Sequence, residues 1–273
     1  MQPLRHFLLA VQFFSRIPVT GRLAAWVGWS PDLQRACASH LPGVGWLVGA
    51  WGAMWLLAGA WLQAGNPWMP LVAAAFSTVA TLWLTGGFHE DGLGDVADGL
   101  GGFVPPERAL EIMKDSRIGA YGVMALTMAL LTKVALLAAL AAVYPPLAAL
   151  LLLCSHVLSR LAPLVLMRAL PYVGLQAQSK TLHVAGKQLG WGGLCTGAAW
   201  CLPAAALTGW FASVPVLLAM LATAAVVTLL LGRWLRQRLG GMTGDCLGAC
   251  QQLAELALLL AACGALTRLV PAA

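Results

Sequence analysis

The sequence predicts an all-α, polytopic integral membrane protein, a single domain of about seven transmembrane helices. Three observations predict it. Of the 273 residues, 60% are hydrophobic and only 10% charged, whereas a soluble domain carries roughly 25% charged residues. The apolar material is cut into lengths that match a bilayer, about 20 residues each. The basic residues then alternate between successive connections, as the sidedness of a membrane protein requires.

Seven stretches qualify as spans, at approximately 43–64, 68–88, 119–143, 146–168, 190–211, 213–232 and 247–269. Trp68, Trp191, Trp210 and Trp234 stand at their ends, where an aromatic belt forms. The N-terminal segment 1–41 has an apolar run of about nine residues closed by Arg16 and no cleavage site. It reads as an amphipathic segment lying at the interface. One long polar segment, 89–118, separates spans two and three.

Counting Lys and Arg orients the chain. The N-terminal segment holds Arg5, Arg16, Arg22 and Arg35, segment 89–118 holds Arg108, Lys114 and Arg117, segment 168–189 holds Arg168, Lys180 and Lys187, and segment 233–246 holds Arg233, Arg236 and Arg238. The three intervening turns hold none. The positive-inside rule places the N-terminus and the four basic segments in the cytoplasm. The same rule accounts for the net charge of +6. No basic cluster with interleaved aromatics occurs in a soluble segment, so nucleic acid is excluded as a partner. Seven cysteines without a CxxC pair read as small buried hydrophobes rather than as a disulfide or zinc framework.

Function is written in the acids. Seven of the ten carboxylates fall within 26 residues: Glu90, Asp91, Asp95, Asp98, Glu107, Glu111 and Asp115. Solubility alone would spread them over all the cytoplasmic loops. Asp91, Asp95 and Asp98 stand at i, i+4 and i+7, one face of a helix. Three stacked anions repel unless a cation neutralises them, and Mg²⁺ takes carboxylate oxygens while leaving positions for water or phosphate. Glu107, Glu111 and Asp115 follow at intervals of four, after Pro105 and Pro106, which suit a helix start. Lys114 and Arg117 add positive charge, and carboxylates for metal with cations for phosphate are the equipment of phosphoryl transfer. His89 is a candidate general base, or equally a buried histidine with a satisfied partner. A second glycine-rich stretch, 240–249, carries Thr243 and Asp245. Its backbone N–H groups can meet a phosphate, and Asp245 can join the metal shell. Lys133, His156, Arg160 and Glu255 fall inside spans, where ionisable groups are costly and point to function or to mutual pairing.

Three blocks resemble the cobalamin synthase (adenosylcobinamide-GDP ribazoletransferase) family: QFFSRIPV at 12–19, GGFHEDGLGDVADGLGG with ERALEIMKDSRIGAYG at 86–102 and 107–122, and GGMTGDCLGA at 240–249. They span the chain from end to end. The resemblance implies that adenosylcobinamide-GDP is joined to α-ribazole or its 5′-phosphate with release of GMP and that Mg²⁺ is the cofactor; the charge count places the acids, and so the expected active site, on the cytoplasmic side of a bacterial inner membrane. Carried onto this sequence, Asp91, Asp95, Asp98, Glu111 and Asp115 are the metal-ligand candidates. Lys114, Arg117, Thr243 and Asp245 are substrate-binding candidates; His89, which rests on its place beside the acids and not on the resemblance, is the catalytic candidate. Glu90 departs from the family pattern and is left out. Partners are these small molecules and the lipid bilayer; a homo-oligomer is compatible with the sequence. A looser likeness links Asp95-x2-Asp98-Gly99 and Glu111-x3-Asp115 to CDP-alcohol phosphotransferases. A transporter is the reading from a different class, resting on Lys133, Arg160 and Glu255.

Overall fold

The computed structural model describes residues 2–174, 182–185 and 188–269. Lys180 and Lys187, two of the residues used to orient the chain, lie outside the described residues. Fourteen α-helices follow in order: α1 (Gln2–Phe14), α2 (Gly21–Val27), α3 (Pro31–Cys37), α4 (Leu41–Leu62), α5 (Met69–Thr85), α6 (Phe88–Leu100), α7 (Pro106–Ile112), α8 (Ala120–Val143), α9 (Pro145–Leu158), α10 (Leu161–Ala169), α11 (Leu182–Ala185), α12 (Trp191–Phe211), α13 (Val214–Leu239) and α14 (Gly244–Leu269). Among the described residues there is no strand, only an isolated bridge between Tyr172 and Met242. Six helical stretches are long and apolar enough to cross a membrane, or seven if the bent pair α5–α6 counts as one.

Burial separates central helices from peripheral ones. The α9–α10 stretch is 78% buried and α14 is 67% buried, while α8, α12 and α13 are only 17–22% buried. The peripheral helices present Met124, Met128, Leu131, Leu202, Leu218 and Leu229 outward. In water such a surface would aggregate; in a bilayer it meets lipid of the same polarity. Trp68, Trp191 and Trp210 are exposed at helix ends, as a belt requires. The N-terminal helix α1 tucks Leu9, Ala10, Val11 and Phe14 into the bundle.

The departure from the sequence expectation lies after α5. Span two was expected to run to 88 and to open into a polar loop. Instead α5 stops at Thr85, and the chain turns by 89° into a second helix, α6. Gly86 and Gly87 make the turn with φ of 71° and 70°, a left-handed conformation that only glycine adopts without steric cost. The Arg16 backbone N–H, just past the end of α1, donates to the Leu84 carbonyl (2.7 Å) beside the turn. Although α6 reads as polar, it buries Leu93, Val96 and Leu100. Its glycines supply the rest of the packing. At Gly92 a Cβ would stand 2.7 Å from the Asp245 carbonyl oxygen, and at Gly248 on α14 a Cβ would stand 3.1 Å from the His89 carbonyl oxygen. The two helices therefore touch backbone to backbone, which small residues permit in membranes.

Several bonds gather the helix ends that carry the motifs. Arg238 near the end of α13 donates to the Leu100 and Gly102 carbonyls (3.2 and 2.7 Å). Arg236 donates to the Ala169 carbonyl at the end of α10 (3.0 Å), and the Met242 N–H donates to the Pro171 carbonyl (2.9 Å).

Candidate active site

An open cleft of about 340 Å³ lies at that end of the bundle, lined by Asp91, Asp95, Met113, Lys114, Asp115, Ser116, Arg117, Ile118, Leu126 and Asp245 among others. Three parts of the chain supply its polar groups, and Leu126 of α8 adds an apolar side. The helix α6 supplies Asp91 and Asp95, the turn after α7 supplies Lys114 to Ile118, and the first turn of α14 supplies Asp245. The Gly92 crossing explains why Asp245 faces the α6 acids although more than 140 residues separate them in sequence. Asp91 is exposed and Asp95 half-buried. The charged neighbours of Asp95 are Asp245, Asp91, Lys114 and Asp98.

Lys114 bridges two of these parts: its Nζ donates to Asp245 Oδ2 at 2.8 Å. Burial works against its charge, but the hydrogen bond and charge of Asp245, and then the charge of Asp95, hold its pKa above the usual lysine value. Arg117 pairs with Asp115 through its Nε and Nη2 (3.0 and 2.6 Å) at the exposed rim. Those bonds and the Arg117 backbone N–H push the Asp115 carboxyl down to about 2.

Other expected site residues do different work. Asp98 accepts the Gly119 N–H (2.7 Å) and the Gly122 N–H (2.8 Å) with its two oxygens. It caps the N-terminus of α8 from a neighbouring helix, satisfying donors that the helix cannot. This places it on the side of α6 that holds α8, and it does not line the cleft. Asp98→Ala is expected to lower stability by about 1–2 kcal/mol, read from thermal unfolding in detergent against wild type. Thr243 is buried and accepts the Cys246 N–H (3.3 Å) as the cap of α14, while its hydroxyl reaches Asp245 Oδ2 at 3.4 Å. It steadies Asp245 and lies beneath the surface where substrate would bind. Glu111 pairs with Arg108 (2.8 Å) on the outer face of α7, away from the cleft. His89 is 3% exposed, has no partner at Nε2 among the described residues, and lies between Phe14 and Phe88, lining a separate apolar cavity of about 30 Å³. It is not brought to the acids.

Among the described residues, no three His, Cys, Asp or Glu side chains converge closely enough to hold a metal ion together. The cleft nonetheless suits Mg²⁺ in donor chemistry: Asp91, Asp95 and Asp245 offer hard oxygens in a space large enough for water and phosphate, and their mutual repulsion is countered by Lys114.

Of the intramembrane ionisable groups, Lys133 and His156 meet Glu255, while Arg160 is bonded to His156. Lys133 Nζ lies 2.6 Å from Glu255 Oε1, and His156 Nδ1 lies 3.0 Å from Glu255 Oε2. Gln251 Nε2 donates to Glu255 Oε2 (2.7 Å) and to Ser159 Oγ (3.0 Å). Arg160, 1% exposed, donates to the His156 carbonyl (2.7 Å). Glu90, omitted from the candidates, accepts a bond from Gln252 (3.0 Å) beside this group. Only its departure from the family pattern marked it in the sequence.

Comparison with known proteins agrees with the blocks. The family model for cobalamin-5-phosphate synthase matches residues 6–263. The chain is 51% identical over 272 residues to the adenosylcobinamide-GDP ribazoletransferase of Polaromonas naphthalenivorans, covering 95% of this chain and 98% of that one. It is 49% identical over 273 residues to the protein of the same name from Albidiferax ferrireducens (95% and 97%), and 40% identical over 254 residues to that from Vibrio cholerae (93% and 91%). No solved structure matches the chain. With family blocks along its whole length, two of them meeting in one cleft, the chain belongs to the cobalamin-5-phosphate synthase family.

Proposed function

We propose that this chain is an adenosylcobinamide-GDP ribazoletransferase, joining adenosylcobinamide-GDP to α-ribazole or its 5′-phosphate and releasing GMP, in a Mg²⁺-dependent reaction on the cytoplasmic face of the inner membrane. The observation that carries it is the convergence of Asp91, Asp95, Lys114, Arg117 and Asp245 on one cleft. The relatives' names support the substrates.

In this reading Asp91, Asp95 and Asp245 would hold Mg²⁺ from across the cleft, directly or through water, since their carboxylates do not converge on one point. When bound, the ion neutralises the diphosphate and the charge developing on the departing oxygen. Lys114 and Arg117 hold non-bridging phosphate oxygens. Lys114 already projects into the cleft with its position fixed by Asp245. Arg117 exchanges Asp115 for phosphate, which costs little because their pair is exposed and screened. The 3′-hydroxyl of the ribazole attacks the phosphate on the aminopropanol arm, and GMP leaves. Among the described residues no histidine lines the cleft, and the hydroxyl proton passes to a carboxylate of the acidic set. Met113, Ile118 and Leu126 supply an apolar wall that limits competing water.

The test is the purified protein in liposomes with both substrates and Mg²⁺. Cobalamin, or its 5′-phosphate, and GMP are expected in equal amounts, with loss of both on chelation. Absence of product with metal present would refute the proposal. CMP release from a CDP-alcohol substrate would assign the chain to the CDP-alcohol phosphotransferase type instead.

A further inference from the structure

The buried polar group beneath the cleft is more elaborate than holding a membrane bundle together requires. Glu90 accepts from Gln252 Nε2 (3.0 Å), and the same Nε2 donates to Gln251 Oε1 (2.9 Å). Gln251 Nε2 then donates to both Glu255 and Ser159, and Glu255 is held by Lys133 and His156. Gln251, Gln252 and Glu255 are each at most 4% exposed. The chain of bonds connects α6 to α14, α8 and α9. Burying such groups in place of well-packed apolar side chains brings no stability by itself, and their best-attested use is to fix register.

What needs fixing is α6. It enters through a turn of two left-handed glycines that permits many directions, and its thirteen residues include Gly92, Gly94 and Gly99, which weaken its own helicity. It nevertheless carries Asp91 and Asp95 at a defined distance from Asp245. Along α14 the contacts made by α6 fall at 245, 248 and 252, one face of that helix. Asp98 ties the far end of α6 to α8, and Arg238 ties its last residue to α13. Against α14, the backbone contacts at 245 and 248 set how near the helices come, and the directional side-chain bond is Glu90–Gln252, one residue from Asp91.

We infer that Glu90 and Gln252 are positioning residues for the transfer reaction: their hydrogen bond, anchored through Gln251 on the Glu255–Lys133 pair, locks the register of α6 on α14 and so sets the gap between the Asp91/Asp95 carboxylates and Asp245. The inference rests on the cleft being the reaction centre proposed above, but its structural half is testable without turnover.

Four variants test it: Glu90→Gln, which keeps the acceptor oxygen, Glu90→Leu, Gln252→Leu, and the double Glu90→Leu/Gln252→Leu, which replaces both polar groups and leaves neither of this pair unpaired. Hydrogen–deuterium exchange and Michaelis kinetics are measured for each in liposomes. In both single Leu variants and in the double, kcat is expected to fall about 10- to 100-fold through misplacement of the acids. KM for adenosylcobinamide-GDP should change little, and more Mg²⁺ should be needed for half-maximal turnover. The amides of α6 should exchange faster while those of α9 and α13 do not. Glu90→Gln should retain wild-type kcat and exchange. The double Leu variant, which like Gln252→Leu leaves Gln251 Oε1 without its donor, should melt no lower than Gln252→Leu alone yet remain as slow as either single Leu variant, which separates positioning from stability. Wild-type turnover in the double variant would overturn the inference, as would unchanged α6 exchange in Glu90→Leu. Failure of the wild type itself to make product would refute the proposed function, while the exchange result would still decide the lock.

Discussion

Asp95→Asn is expected to reduce turnover by about 100-fold or more, a loss of roughly 2.7 kcal/mol of transition-state stabilisation, while the protein melts at or above the wild-type temperature. The two effects have one origin. Asp95 is half-buried, with Asp245, Asp91 and Asp98 acting on it and Lys114 as the opposing cation. Without metal, ionised neighbours disfavour one another, and a neutral amide removes part of that repulsion. With metal, the amide is a poorer ligand, and the lost charge is felt most where the diphosphate must be neutralised. Elevated Mg²⁺ should recover part of the rate. Measuring kcat and thermal stability side by side decides the matter. A solvated acidic surface would give near-normal turnover, and a purely structural aspartate would lose both quantities together.

Glu255→Ala is expected to be the most damaging single change to stability, about 3–5 kcal/mol. Glu255 is 1% exposed and meets Lys133, His156 and Gln251 at once. Its removal leaves the Lys133 ammonium buried inside the bundle without its ion-pair partner. The double variant Lys133→Met/Glu255→Gln removes both charges and should recover most of the loss. Unfolding in detergent, followed by helical signal, reads both. A loss below 1 kcal/mol for Glu255→Ala would mean that the Lys133 pair does not carry the energetic weight that its burial implies. The same pairing bears on the transporter reading, since Lys133, Arg160 and Glu255 are engaged with protein partners.

The membrane spans were legible because their signal is compositional: long apolar runs must be helical in lipid, where every backbone group has to be bonded internally. The α7 start at Pro106 was legible for a local reason, the fixed φ of proline. The helix α6 was not legible as a packed element. Its sequence FHEDGLGDVADGL is rich in glycine and acid, the composition of a loop, and beside Leu93, Val96 and Leu100 much of its buried face is glycine, whose close packing hydropathy does not register. The i, i+4, i+7 spacing placed Asp91, Asp95 and Asp98 on one helix but carried no information about their neighbours. Asp98 turns to the start of α8, while Asp91 and Asp95 face the cleft. The Lys114–Asp245 bond joins residues 131 positions apart, and spacing within a motif is silent about such contacts. Thr243 stands beside Asp245 in sequence, yet its hydroxyl points inward as a cap. The Glu90 role depends on Gln252, another long-range pairing.

The central claim is that the acids of α6 and α14 meet substrate diphosphate around a shared divalent ion. The most direct measurement is electron paramagnetic resonance of Mn²⁺ substituted for Mg²⁺ in the reconstituted protein with adenosylcobinamide-GDP, reading the hyperfine coupling to ³¹P. Coupling is expected in the wild type, lost or strongly reduced in Asp95→Asn and Asp245→Asn, and retained in Glu111→Gln. No phosphorus coupling in a protein competent for turnover, or the same coupling in Asp95→Asn as in the wild type, would contradict it.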